Sequence, residues 1–189
     1  MSAWWAASRQ RTLSPMTDAD PVSGVVVRVP LAAPLERLRR SGDFAASVGV
    51  PAHVTLLFPF MPAQALRPPV RRALAEIAAT IEPFDTRFAE VGRFPGVVYL
   101  VPEPRTRFTE LTDAIAARFP AYQPYEGAFE EVIPHLTLVE SATAPLDDIA
   151  DAAQRHLPFT HRVSVMEVLV EGPDARWRGH WRIPFGRRV

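Results

Sequence analysis

The sequence carries two copies of one polar pattern, a histidine followed two positions later by a threonine. His53 and Thr55 form the first pair, and His135 and Thr137 form the second. An imidazole titrates near neutral pH, so one ring can accept a proton while another donates one. A threonine hydroxyl can donate a hydrogen bond to an oxygen on which negative charge develops. Together the two pairs are suited to opening a phosphodiester with water, a reaction that needs one base and one acid.

Each pair lies in a segment with the alternation that is typical of a β-strand. The segments are PAHVTLLF at residues 51–58 and PHLTLV at residues 134–139. Side chains of an extended strand point alternately to opposite faces, so the histidine and the threonine share one face and apolar residues share the other. Such a strand buries its apolar face and keeps an imidazole and a hydroxyl on the opposite one. We therefore expect the two polar faces to meet in one cleft.

The elements that must position these segments alternate between short apolar runs and amphipathic helical stretches. Strands are predicted at residues 24–30, 53–58, 84–91, 97–101, 135–139, 159–170 and 176–184. Helices are predicted at residues 34–40, 68–81, 104–119 and 145–157, and a turn is predicted at residues 92–96. Both halves of the chain follow the order strand, helix, His-x-Thr strand, helix, strand. The second half is therefore predicted to repeat the first.

This order predicts an α+β fold of two pseudo-symmetric lobes, each a small, mostly antiparallel sheet with outer helices, and a cleft between the lobes. A doubly wound sheet is the alternative for alternating strands and helices. No glycine-rich phosphate loop follows any predicted strand, which disfavours that alternative. We expect residues 1–22 to form a flexible N-terminal extension and residues 23–189 to form a single bilobal domain.

The two motifs and their order resemble the paired signatures of the 2H phosphoesterase superfamily, in particular its 2'-5' RNA ligase-like cyclic phosphodiesterase branch. The resemblance extends over about residues 24–185. It implies a two-lobed fold with pseudo-twofold symmetry and a metal-free site between the lobes, with no cofactor. Members of the RNA ligase-like branch often carry a basic residue just after the second motif, where this chain has Glu140. The residues to which the resemblance assigns catalytic roles are His53, Thr55, His135 and Thr137.

The activity that the resemblance implies is a metal-independent hydrolysis of a cyclic or 2'-5' nucleotide phosphodiester, most simply a 2',3'-cyclic phosphate. The expected partner is a small nucleotide or an RNA end. Two alternatives stay open: a nucleotide-binding module that keeps the fold without turnover, and a protein in which the repeat serves packing alone. The residues do not decide which histidine is the base, because that depends on which ester oxygen leaves.

Five further residues are candidates for binding the substrate. The planar guanidinium group of arginine can donate two hydrogen bonds to phosphate oxygens, and aromatic rings can stack on bases. Three of the aromatic candidates stand in or beside loops that precede predicted strands, which favours a position on the wall of the cleft. Packing is the more common role of such side chains. The candidates are Arg93, Phe94, Tyr125, Phe129 and Trp177.

The composition narrows the possible classes of function. The formal net charge is zero, so a broad basic surface for long duplex nucleic acid is not expected. The chain has no cysteine, which removes thiol catalysis, disulfides and thiolate metal sites. The uncharged stretch at residues 44–66 is interrupted by three prolines and by His53, so a membrane span is not expected. We expect a cytoplasmic monomer.

Overall fold

Eight β-strands and five α-helices occupy the part of the chain that the computed structural model describes, residues 21–186. The strands are β1 (Ser23–Arg28), β2 (His53–Leu57), β3 (Phe84–Phe94), β4 (Val97–Glu103), β5 (Leu136–Glu140), β6 (Phe159–Val163), β7 (Val165–Glu171) and β8 (Trp177–Pro184). The helices are α1 (Ala33–Gly42), α2 (Phe44–Ser47), α3 (Pro68–Ala79), α4 (Thr106–Arg118) and α5 (Leu146–Gln154). Two short 3-10 turns are Ala63–Ala65 and Pro124–Gly127.

The strands form two four-stranded sheets in which all neighbouring strands are antiparallel. The first sheet has the order β2-β1-β7-β8, and the second has the order β5-β4-β3-β6. Each His-x-Thr segment therefore belongs to an edge strand, β2 in one lobe and β5 in the other. The predicted α+β fold of two antiparallel lobes is confirmed.

One predicted strand, residues 159–170, is wrong as a single element because it divides at Ser164 into strands of different sheets. β6 pairs with β3 in the second sheet, whereas β7 pairs with β1 and β8 in the first. The first lobe thus combines the two ends of the described chain, and the second lobe takes its middle. The lobes do not coincide with the two halves of the sequence. A segment that alternates apolar and polar residues looks the same whether or not the chain changes sheet, so the pattern does not indicate the crossing.

Alternate residues of the two motif strands anchor those strands in the main hydrophobic core. Val54 and Leu56 of β2, and Leu136 and Leu138 of β5, are at most 1% exposed. The histidine and threonine of each pair are half-buried between these residues. Burial of one such side chain is worth about 1.5–3 kcal/mol, and a slip of one residue would expose them all. The apolar face therefore fixes which way the imidazoles and hydroxyls point.

The predicted extension, residues 1–22, lies outside the described residues except for Pro21 and Val22. The Pro21 carbonyl accepts a hydrogen bond of 2.7 Å from the amide of Ala63. Val22 pairs with Pro62 and is 7% exposed. These two residues belong to the fold of the first lobe. Within residues 21–186, no helix has the length and apolar character needed to cross a membrane.

Candidate active site

The two motif strands meet where the lobes face each other, because β2 and β5 are in contact. His53 begins β2, and His135 directly precedes β5. The two rings are close enough for the charge of His135 to lower the pKa of His53. The structure therefore brings together two imidazoles that are far apart along the chain.

The two histidines have the same local hydrogen bond. The Nδ1–H of His53 donates to the carbonyl of Pro51, and the Nδ1–H of His135 donates to the carbonyl of Ile133, each at 2.7 Å. A carbonyl oxygen only accepts, so this contact places a proton on Nδ1 in both rings. With Nδ1 protonated, Nε2 is the nitrogen of each ring that can accept a proton. The two rings therefore have the same tautomer.

Both imidazoles have lowered pKa values, chiefly because burial removes the solvation of the charged form. The pKa of His53 is lowered to about 3: burial and the charges of Arg39 and His135 lower it, and the hydrogen bond to Pro51 opposes them. Burial likewise lowers the pKa of His135, against the hydrogen bond to Ile133. Both rings are therefore neutral at pH 7 without a ligand. An anion bound between them would favour their charged forms and raise both pKa values.

Two aromatic rings lie against His135. The ring of Phe94 is 5.2 Å from the imidazole centroid and nearly perpendicular to it, and the ring of Tyr99 is 5.3 Å away. Tyr99 was not among the candidates, since strand alternation alone does not reveal which ring meets the motif. The signal that could have found it is Gly92, an unusual residue within a strand. A Cβ at Gly92 would lie 2.3 Å from the Tyr99 ring, so only glycine lets that ring cover β3.

Gly92 also explains why the predicted turn at residues 92–96 is too long. β3 continues to Phe94 and pairs with β4 as far as Val97, which leaves only residues 95 and 96 in the turn. The glycine serves the close approach of the Tyr99 ring and not a change of chain direction. Phe94 thus stands at the end of a strand, beside His135, and not in a loop.

A buried arginine, also missed from the sequence, lies near His53. Arg39 on α1 is 2% exposed, pairs with Asp43 at 2.9 Å and donates to the carbonyl of Val50 at 2.8 Å. Burial raises the pKa of Asp43 to about 6, although the charge of Arg39 opposes that shift. The arginine fixes the chain just before the Pro51 carbonyl that holds the His53 ring. A surface-like run of arginines in an amphipathic helix gives no sequence signal of this role.

Tyr125 and Phe129 lie beside the first motif. The hydroxyl of Tyr125 shares a hydrogen bond with the side chain of Thr55, and its amide donates to the carbonyl of Phe58 at 2.7 Å. The Phe129 ring contacts the Tyr125 ring edge-on at 5.5 Å and is 50% exposed. Phe129 therefore extends the aromatic surface from the motif towards solvent.

Arg93 and Trp177, two of the predicted substrate contacts, lie elsewhere. Arg93 pairs with Asp147 of α5, and strand alternation puts its side chain on the face of β3 opposite to Phe94. Trp177 is 7% exposed in a second core, where it packs edge-on against Phe58 at 5.9 Å. The predicted phosphate contact from Arg93 is therefore corrected to an ion pair on the helical side of the sheet. Trp177 is corrected to a core residue with little surface for a base.

Two cavities in the described part of the chain lie outside the pair of motifs. A cavity of about 720 Å³ lies beside Arg39 and is lined by α1 and residues 46–52, and another of about 380 Å³ lies beside Tyr122. Neither is lined by a histidine or threonine of the two motifs. Within the described residues, no three or more His, Asp or Glu side chains come together as a metal site would require. The chemistry of the two facing imidazoles, and not cavity size, identifies the candidate site.

Comparison with known families decides the relationship. The model of the 2'-5' RNA ligase superfamily matches residues 27–175. The chain belongs to the 2'-5' RNA ligase superfamily. The resemblance to 2H phosphoesterases is thereby confirmed. No curated protein sequence gives a significant match.

Solved structures show the fold of this 2'-5' RNA ligase superfamily member in relatives of low identity. E. coli LigT in complex with NADP+ is 18% identical with a TM-score of 0.54, and the match covers 89% of this chain and 99% of the LigT chain. E. coli LigT in complex with 3'-AMP is 17% identical with a TM-score of 0.54, covering 89% and 100%. TT0787 of Thermus thermophilus is 20% identical with a TM-score of 0.58, covering 88% and 100%. At these identities the likeness shows the two-lobed fold.

Proposed function

We propose that this member of the 2'-5' RNA ligase superfamily is a phosphodiesterase that hydrolyses the 2',3'-cyclic phosphate of a small nucleotide or an RNA end. The observation that carries the proposal is the pairing of His53 with His135. Both rings hold Nδ1–H on a carbonyl at 2.7 Å, and they interact electrostatically across the lobes. The superfamily and the nucleotides bound to its structural relative LigT support the class of substrate.

The reaction divides between the two Nε2 atoms. One neutral Nε2 takes a proton from water as the water oxygen forms a bond to phosphorus. The bond from phosphorus to one ribose oxygen breaks, and the other ring, protonated at Nε2, gives its proton to that oxygen. The hydroxyls of Thr55 and Thr137 donate to the non-bridging oxygens, where charge develops in the transition state. One proton is taken up and one is released, so the pair is ready for the next cycle after one exchange with solvent.

The surroundings of the two rings support different roles for them. Arg39 places a positive charge near His53, which disfavours the imidazolium form and keeps this ring neutral as the base. The ring centroids of Phe94 and Tyr99 lie 5.2 and 5.3 Å from that of His135, and an aromatic ring within about 6 Å can stabilise a cation. His135 is therefore the acid. Two titratable groups can act as acid and base at the same pH when their environments give them different pKa values.

To act as the acid, His135 must carry a proton on Nε2, and the neutral ring does not. Binding of the substrate favours the uptake of that proton. A phosphodiester carries a negative charge, and its arrival between the rings favours the imidazolium form of His135. Glu140 stands where RNA ligase-like members often have a basic residue, and its charge already raises the pKa of Asp43 nearby. A second carboxyl in this region disfavours additional phosphates, so a cyclic mononucleotide is the preferred form of the substrate.

The test is turnover of adenosine 2',3'-cyclic monophosphate by the parent and by His53→Asn and His135→Asn, with products separated by chromatography. Asparagine keeps an N–H near the position of Nδ1 and removes Nε2. Each variant is expected to lose roughly 100-fold or more in kcat, whereas His156→Asn, on the exposed end of a helix, keeps full activity. Tight binding of the cyclic nucleotide without turnover by the parent would instead favour the nucleotide-binding module.

A further inference from the structure

The loop that carries Tyr125 is held in an unfavourable backbone conformation. Tyr125 has φ 53° and ψ 32°, and Glu126 has φ 58° and ψ 25°, so two successive residues with side chains are left-handed. Such residues cost about 1 kcal/mol or more each and persist where the surroundings hold them. Here the Tyr125 amide is held by the carbonyl of Phe58, immediately after β2. The loop is thus fixed to the strand that carries the first motif.

The result of this conformation is one specific side-chain contact. The Tyr125 hydroxyl shares a hydrogen bond with Thr55, and burial raises the pKa of the phenol to about 12. The phenol therefore keeps its proton at neutral pH and has one to donate. When it donates to Oγ1 of Thr55, the single hydroxyl proton of Thr55 is directed away from the tyrosine. Chains of hydrogen bonds of this kind polarise each other and strengthen the last donor.

The second motif has no counterpart of this contact. Within residues 21–186, the Thr137 hydroxyl makes no hydrogen bond to another side chain. Its strand partner is Tyr99, whose ring lies instead against His135. The two threonines, which the sequence makes equivalent, are therefore different in the folded protein.

We propose that Tyr125 is a positioning residue that orients the hydroxyl proton of Thr55 towards a non-bridging oxygen of the bound phosphate, so that Thr55 is the stronger of the two threonine donors. The inference deepens the proposed function and rests on it for turnover, but not for phosphate binding. The substrate does not need to touch Tyr125. The contribution of Tyr125 passes through Thr55 alone, which distinguishes it from a residue of the cleft wall.

A double-mutant cycle tests this dependence. Tyr125→Phe keeps the ring against Phe129 and removes the hydroxyl, and it is expected to lower kcat roughly tenfold with a smaller change in KM. In a Thr55→Val background the same change has no further effect, whereas in a Thr137→Val background it keeps its full tenfold effect. Tyr122→Phe, three residues earlier in the same loop, is the matched control and leaves kcat unchanged. Thermal unfolding of every variant separates activity from loss of the fold.

The dissociation constant of inorganic phosphate, measured for the same variants, separates this inference from the proposed function. We expect Tyr125→Phe to weaken phosphate binding several-fold in the parent and not in Thr55→Val. One outcome is that the parent binds phosphate, with an effect of Tyr125→Phe that depends on Thr55, and yet turns over no cyclic nucleotide. In that case the positioning role of Tyr125 stands and the proposed hydrolase activity is rejected. The role of Tyr125 is overturned if Tyr125→Phe equals the parent or if its effect is the same in the Thr55→Val background. It is also overturned if the parent binds no phosphate.

Discussion

The Nδ1–H of His53 and the Nδ1–H of His135 each donate to the carbonyl two residues earlier in the chain, both at 2.7 Å. The two bonds come from segments of different lobes that lie 82 positions apart in the sequence. They hold the rings in the same tautomer, in which Nε2 is the nitrogen that can accept a proton. The pseudo-symmetry of the lobes is therefore present at the level of single atoms.

Binding of an anion is expected to bring protons into the site. Both imidazoles are neutral without a ligand because their pKa values are lowered, and an anion between them favours the charged forms. Sulfate is the best probe, since its own charge is constant between pH 5 and pH 8. Calorimetry at pH 7 in buffers of different ionisation enthalpy should show proton uptake, and sulfate should bind more weakly as the pH rises. Uptake that persists in a His53→Asn, His135→Asn double variant would contradict the assignment.

The acid and base roles predict an order of titration. In NMR titrations of the ring nitrogens, His135 should become protonated at a higher pH than His53. Arg39→Gln should raise the pKa of His53, because it removes a nearby positive charge.

The neighbouring Arg40 provides the control for that titration. Arg40 is exposed and pairs with Glu36, so Arg40→Gln should leave both histidines unchanged. The assignment of roles fails if His53 titrates above His135 in the parent. It also fails if Arg39→Gln does not move the pKa of His53.

The lowered pKa of His53 predicts a pH dependence of stability. A histidine whose pKa is lower in the folded than in the unfolded state contributes its full stability above about pH 6.5 and loses it as the pH falls towards the folded pKa of about 3. The free energy of unfolding should therefore decrease on acidification, by at most ~1.4 kcal/mol per pH unit for this group.

Urea unfolding at several pH values between 7.5 and 4 measures this effect as the difference between the parent and His53→Asn. Asp43 has a raised pKa and contributes in the opposite direction, but it is present in both proteins and cancels in the difference. The advantage of the parent should shrink as the pH falls. A difference that is constant with pH would show that the His53 ring is not desolvated in the folded protein.

Gly92→Ala should disturb the site through Tyr99. The new Cβ would lie 2.3 Å from the Tyr99 ring, so the ring must leave its place beside His135. We expect a loss of stability of about 1–3 kcal/mol, as is usual for overpacking, together with reduced turnover. Gly179→Ala is the matched control, because a Cβ there meets no atom within 4 Å. Replacing Tyr99 by Leu in the Gly92→Ala background should recover stability without recovering turnover; recovery of both would show that the tyrosine ring is dispensable.

The sequence predicted the elements whose residues face the core in a regular pattern. The alternation of Val54 and Leu56 around Thr55 sets the orientation of β2, and that local pattern survives in the fold. The two-lobed architecture followed from the same pattern. The division at Ser164 did not, because the choice of sheet depends on which strands offer a free edge and not on the composition of the segment itself.

The structure places some of the candidate substrate contacts beside the first motif and others away from it, and the sequence does not distinguish the two groups. Tyr125 and Phe129 lie beside the first motif, whereas Arg93 forms an ion pair with Asp147. Arg39 and Tyr99 were missed because their positions depend on helix packing and on the close approach at a strand glycine. Nothing in a single sequence specifies either distance.

The most direct test of the account is a crystal structure with adenosine 3'-monophosphate bound, in which the distances from the phosphate oxygens to Nε2 of His53 and to Nε2 of His135 are measured. The account predicts one phosphate between the lobes, with an oxygen within hydrogen-bonding distance of each Nε2, about 2.7–3.2 Å. A phosphate that contacts only one ring, or that lies in the cavity beside Arg39 instead, would contradict it.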